Sequence, residues 1–143
     1  MGASAERRVR EVVMLRVSTG ASIREALDEW TASHNVAAAL VEGIGAAYAV
    51  ELGYFDRTRR EYVRRVVEGD VEIASLQGNV TLKEGRPFAH LHVVVTGPDG
   101  AALGGHLFDA RAGATCELAV TVLDRAVGRV YDEATGVWLL DLE

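Results

Sequence analysis

Three of the four histidines in this 143-residue chain fall within seventeen residues, HLHVVVTGPDGAALGGH, from His90 to His106. Two are spaced H-x-H, and the third follows a stretch rich in turn residues. Neutral imidazoles are good ligands for zinc and for other divalent transition metals. Three of them would leave one tetrahedral position open for water or for a small anionic or oxygen-bearing ligand, and zinc lowers the pKa of such a water towards ~7. Glu72 and Glu117 are the carboxylates considered as partners around such a centre, or as bases for a metal-dependent enzyme.

The chemistry depends on how the chain positions these rings. Residues i and i+2 of a strand share a face, so His90 and His92 point together and Leu91 points away. Gly97-Pro98-Asp99-Gly100 is a turn signal. A hairpin centred on Asp99 pairs His92 with His106 and gathers all three rings. A hairpin centred between Pro98 and Asp99 pairs His106 with Leu91 and sends it to the other face. A bulge at Gly104-Gly105 could re-aim it. The alternative to a metal centre is three half-buried sheet histidines with backbone partners. His34 sits at a helix end and is left out of the set. Cys116 reads as a small core residue.

The wider pattern is α+β (an α/β two-layer arrangement), with a mainly antiparallel β-sheet and one principal helix packed on one face. Val9 to Val17 is a strand candidate. Ser22 and Glu25 have capping-box spacing, and Ile23, Ala26, Leu27 and Trp30 recur as one apolar helical face. His34-Asn35 is a plausible end for this helix. From Val36 onward, short apolar runs alternate with Gly, Asp, Asn or Pro clusters, the pattern of strands joined by turns. One domain spanning residues 1–143 accounts for the whole chain.

Composition limits the function. The net charge of −6 argues against a general nucleic-acid surface, which needs local positive charge. Arg57, Arg59, Arg60, Arg64 and Arg65 form one basic segment, the contact surface of a DNA-associated reading that is not favoured. No apolar run reaches the ~18 residues of a membrane span. The start of the chain lacks the apolar core of a signal peptide. The single cysteine fits a reducing compartment, so a cytoplasmic location is expected.

The ordered series GIGA (Gly43 to Ala46), ELGYFD (Glu51 to Asp56), EIASLQGNV (Glu72 to Val80), HLHVVV (His90 to Val95), GGHL (Gly104 to Leu107) and ATCEL (Ala114 to Leu118) resembles the plants-and-prokaryotes-conserved (PPC) domain, prokaryotic type. The resemblance runs from the first strand to about Leu123. It implies a mainly antiparallel α/β domain assembled as a homotrimer. It also implies a metal, usually taken as zinc, on His90, His92 and His106, with the family's two glutamates matching Glu72 and Glu117. Plant members owe their DNA-binding label to AT-hooks with an R-G-R-P core. This chain has only E-G-R-P at Glu84 to Pro87, so that label does not carry over by residues.

Overall fold

A computed structural model of the chain describes residues 6–142. The first five residues of the N-terminal segment read above for a signal peptide lie outside the described residues. Eight strands and one helix follow in the order β1 (Val9–Arg16), α1 (Ile23–Ser33), β2 (Ala39–Asp56), β3 (Glu61–Val67), β4 (Val71–Lys83), β5 (Arg86–Thr96), β6 (Ala102–Leu123), β7 (Gly128–Asp132) and β8 (Val137–Asp141). All the strands join one sheet, and every pairing is antiparallel except a single parallel contact between Leu82 and Gly128.

The helix forms where its cap and apolar spacing place it. The Ser22 hydroxyl accepts from the Glu25 N–H at 3.0 Å and donates to Asp109 Oδ1 at 2.7 Å, which ties the helix start to β6. Ile23 and Leu27 then enter the core. The His34 N–H closes the helix on the Trp30 carbonyl, and Asn35 takes a positive φ of 52°.

β2 and β6 are long strands, of 18 and 22 residues, and each is used twice. The first half of β2 lies between β4 and the second half of β6. Its second half lies between β3 and the first half of β6. The first half of β6 also pairs with β5, which pairs with β4. The pairings therefore close into a ring, β2–β4–β5–β6–β2. Strands that bend this far need irregularities. β2 carries register shifts between Gly43 and Gly45 and between Tyr48 and Glu51, with Ala49 at φ 48° inside the second. Bulges of this kind bend and twist a strand.

The inward side chains of β5 (Ala89, Leu91, Val93 and Val95) are buried in one apolar cluster with Val50, Leu107, Leu118 and Val120. Burying such side chains is the main stabilising term, at roughly 1.5–3 kcal/mol for each large one. The alternate residues of β5, Phe88, His90, His92 and Val94, point to its outer face. Cys116 is fully buried in the core, where burial pushes its thiol up to about 11. It is a packing residue, as the sequence indicates.

Candidate metal centre

The loop between β5 and β6 sets the geometry of the histidines. The Gly97 N–H bonds the Ala101 carbonyl, and the Gly100 N–H bonds the Gly97 carbonyl. Register then runs from Thr96 opposite Ala102 to His92 opposite His106. This is the hairpin centred on Asp99. It puts His90, His92 and His106 on one face, with ring centroids 5.1–5.7 Å apart. One ligand nitrogen from each ring lies within 4.8 Å of the other two.

Two close approaches explain the small residues in these motifs. A Cβ on Gly105 would stand 2.7 Å from the Gly53 carbonyl oxygen on β2. A Cβ on Gly78 would overlap the carbonyl of His90 itself. The backbone of His90 is thus seated directly against β4, and that of His106 against β2.

The surroundings fix the charge state of the rings. His106 is 8% exposed, covered by Tyr62 at 4.8 Å and Phe108 at 4.7 Å between ring centroids. Burial lowers its pKa to about 4, with His90, His92, Arg24 and Arg64 adding repulsion. His90 is lowered to about 4 by burial first, then by Arg129, His92 and Arg24. Both are therefore neutral at pH 7, the state that ligates a metal. Among the described residues, His106 Nδ1 is the one buried side-chain nitrogen or oxygen with no hydrogen-bond partner. A buried imidazole nitrogen left without a partner is costly, and a metal ion would complete it. Tetrahedral bonds of ~2.0–2.1 Å put nitrogens ~3.4 Å apart, so small ring rotations suffice. The residues fit the ion.

The family model for the Plants and Prokaryotes Conserved (PCC) domain matches residues 4–124. The chain belongs to the PCC-domain family. Solved structures agree in fold. The metal-containing protein AF0104 from Archaeoglobus fulgidus is 37% identical, with a TM-score of 0.89 over 94% of this chain and 96% of that one. A PPC protein from Pyrococcus horikoshii is 26% identical, with a TM-score of 0.89 over 96% and 97%. A candidate DNA-binding protein from Ralstonia eutropha JMP134 is 26% identical, with a TM-score of 0.84 over 91% and 90%. A comparison with curated proteins finds no match.

The other residues singled out in this PCC domain are dispersed. Glu72 lies opposite Thr96 and Glu117 opposite Ile44. Both are exposed, and neither lines the hollows that touch the histidines. Thr96 is four residues beyond His92, or ~13 Å along a strand. Glu117 accepts instead from the Thr115 hydroxyl. The carboxylates that do line these hollows are Glu42, opposite Gln77, which is itself opposite His92, and Glu51 and Glu61 beside His90 and His106.

The arginine segment does not form one face. Arg57, Arg59 and Arg60 are in the β2–β3 turn, and Arg64 and Arg65 alternate along β3. Arg60 donates to the carbonyls of Glu133 and Ala134. Arg59 approaches Asp56 at 3.9 Å. Arg64 pairs with Glu51 at 2.6 Å and lies 3.7 Å over the Phe108 ring, beside the histidines. Sequence reasoning missed Tyr62 and Phe108 as the cover of His106. Phe108 had a signal, since it shares strand parity with His106. Tyr62 arrives from β3 and had none.

Proposed function

We propose that the chain is a metal-binding PCC-domain protein in which His90, His92 and His106 hold zinc or another divalent transition metal. The observation that carries this reading is the pairing of His92 with His106, together with the partnerless buried nitrogen of His106. The likeness to the metal-containing protein of Archaeoglobus fulgidus supports it. Such an ion would offer an open position to a small anionic or oxygen-bearing ligand and would act there as a Lewis acid. The chain's own part is to keep two imidazoles neutral and to roof one of them with Tyr62 and Phe108. We assign no reaction, because Glu72 and Glu117 lie outside the hollows that touch the histidines.

The protein would act in the cytoplasm as a homotrimer. Support for self-association comes from an exposed apolar face: Val12 lies across Thr121 from Leu40, with Met14 and Ile44 alongside. Exposed patches of this kind mark interfaces. Nucleic acid is a less favoured partner, since three of the five segment arginines are engaged within the chain.

Metal analysis of protein purified without a histidine tag tests the reading. About one transition-metal ion per chain is expected, falling below a tenth in His90→Ala, His92→Ala and His106→Ala. A metal content that is low in the wild type and unchanged in the variants would sink it.

A further inference from the structure

A cleft of about 920 Å³ opens beside the histidines, with His90 and His106 on its wall. Its lining is cationic, although the protein is acidic overall. Five basic side chains, Arg24, Arg60, Arg64, Lys83 and Arg129, face two carboxylates, Glu51 and Glu61. Three of these cations converge on one ring. The Lys83 ammonium stands 5.0 Å from the Phe88 centroid, and the Arg24 and Arg129 guanidinium carbons stand 5.5 Å from it. They are therefore at most about 11 Å from one another, and in a half-buried cleft such charges are screened less than exposed ones. Phe88 is two residues before His90 and shares its face of β5.

The way these cations are held leaves them available. Arg129 is positioned by three neutral oxygens: Thr81 Oγ1 at 2.7 Å, Asn79 Oδ1 at 2.7 Å and the Trp138 carbonyl at 3.0 Å. Each of its two terminal nitrogens keeps a second N–H. Lys83 rests against aromatic faces, with Trp138 at 4.8 Å completing its surroundings. Arg24 donates to the Ala89 carbonyl at 2.7 Å and the Leu107 carbonyl at 3.4 Å, both neutral, and its ion pair with Asp28 is loose at 3.7 Å. Gathering like charges in a half-buried cleft is unfavourable unless an anion joins them, and a guanidinium with free N–H groups suits planar oxyanions. Around the cluster the walls are aromatic or apolar, with Tyr62, Phe108, Trp138 and Leu139 among them.

We propose that this cleft binds a small organic oxyanion with an apolar or ring-shaped body. Its phosphate or carboxylate sits among Arg24, Lys83 and Arg129 over Phe88, and its body runs along the aromatic wall towards His90 and His106. This deepens the metal-site reading and rests on it for the ligand's direction, but the anion subsite consists of residues that are not metal ligands.

Calorimetric titration tests it on metal-stripped wild-type protein, with phenyl phosphate, benzoate and benzyl alcohol as probes. Fluorescence of Trp138 in a Trp30→Phe background gives a second readout. At least one anion should bind saturably and ten-fold or more tighter than benzyl alcohol. Affinity should fall about ten-fold in Lys83→Ala and in Arg129→Gln, with folding checked by circular dichroism. The tighter of the two anions identifies the head group. Absence of saturable binding, equal binding of benzyl alcohol, or unchanged affinity in a folded Lys83→Ala variant overturns the proposal. His90→Ala separates the two readings: it should lose metal yet still bind the anion. An anion site without metal in any variant would leave this proposal standing and remove the metal one.

Discussion

His92 and His106 stand directly opposite each other across β5 and β6, and the five-residue loop 97–101 is what makes them partners. A loop shorter or longer by one residue would set Leu91 or Val93 opposite His106 and dissolve the cluster. The site is therefore a property of register before it is a property of side chains.

Close backbone contact is the first place to perturb it. Gly105→Ala would press a methyl group against the Gly53 carbonyl, and Gly78→Ala would press one against His90. Overpacking of this kind costs about 1–3 kcal/mol. Urea unfolding should show that loss in both variants. Metal content should fall as well, because each change shifts a ligand-bearing strand. Stability within 0.5 kcal/mol of wild type in both would refute the argument.

Acid should weaken the metal-free fold. An unfolded imidazole takes up its proton near pH 6.5, whereas His90 and His106 in the folded chain resist until about 4. Between those values the unfolded chain binds more protons, so stability falls as pH drops through that window. Urea midpoints measured from pH 7 to 4 should decline, and less steeply in His106→Gln. A loaded centre should likewise keep its metal below pH 6.5, where ordinary imidazoles would already be protonated.

Ser22 links the helix to the sheet. Ser22→Ala removes the N-cap and leaves Asp109 without its hydroxyl partner. The expected cost is about 1–2 kcal/mol, read as a lower Tm. Metal content should be unchanged, because none of the histidines touches this joint in the hydrogen-bond network.

Charge on the exposed face should break self-association. Met14→Glu and Ile44→Glu place carboxylates at positions 69% and 58% exposed, beside Glu42 and Glu117, so that the face becomes strongly anionic. Light scattering after size exclusion should report a trimer for wild type and a monomer for the double variant. A monomeric wild type would count against the assembly.

Much of this was legible in the chain because it is local. The Ser22 cap, the apolar face of Ile23 and Leu27, the strand parity of His90 and His92, and the two candidate registers all follow from near neighbours in sequence. The Asp99-centred register was one of two readings, and the structure selects it. What stayed hidden depends on long-range closure. Nothing in the spacing of Lys83, Phe88 and Arg129 shows that β7 returns beside β4 to bring them together. Tyr62 roofs His106 only because β2 bends at Ala49 and carries β3 across. Glu72 and Glu117 matched motif positions, but motif order does not set distance.

The closed circuit of β2, β4, β5 and β6 gives the hairpin a protection that its own turn could not. In a sheet with free edges, one strand can slide past its neighbour at little cost elsewhere. In a ring, the offset accumulated on going once around must be a whole number, and it is shared by every joint. A slip between His92 and His106 would have to be matched by an equal slip at another seam, where a buried row of valines and leucines would turn outward. Alignment of the three imidazoles is thereby written into an integer of the whole barrel-like circuit. Small sequence drift in the 97–101 loop should leave it intact so long as the loop keeps its length.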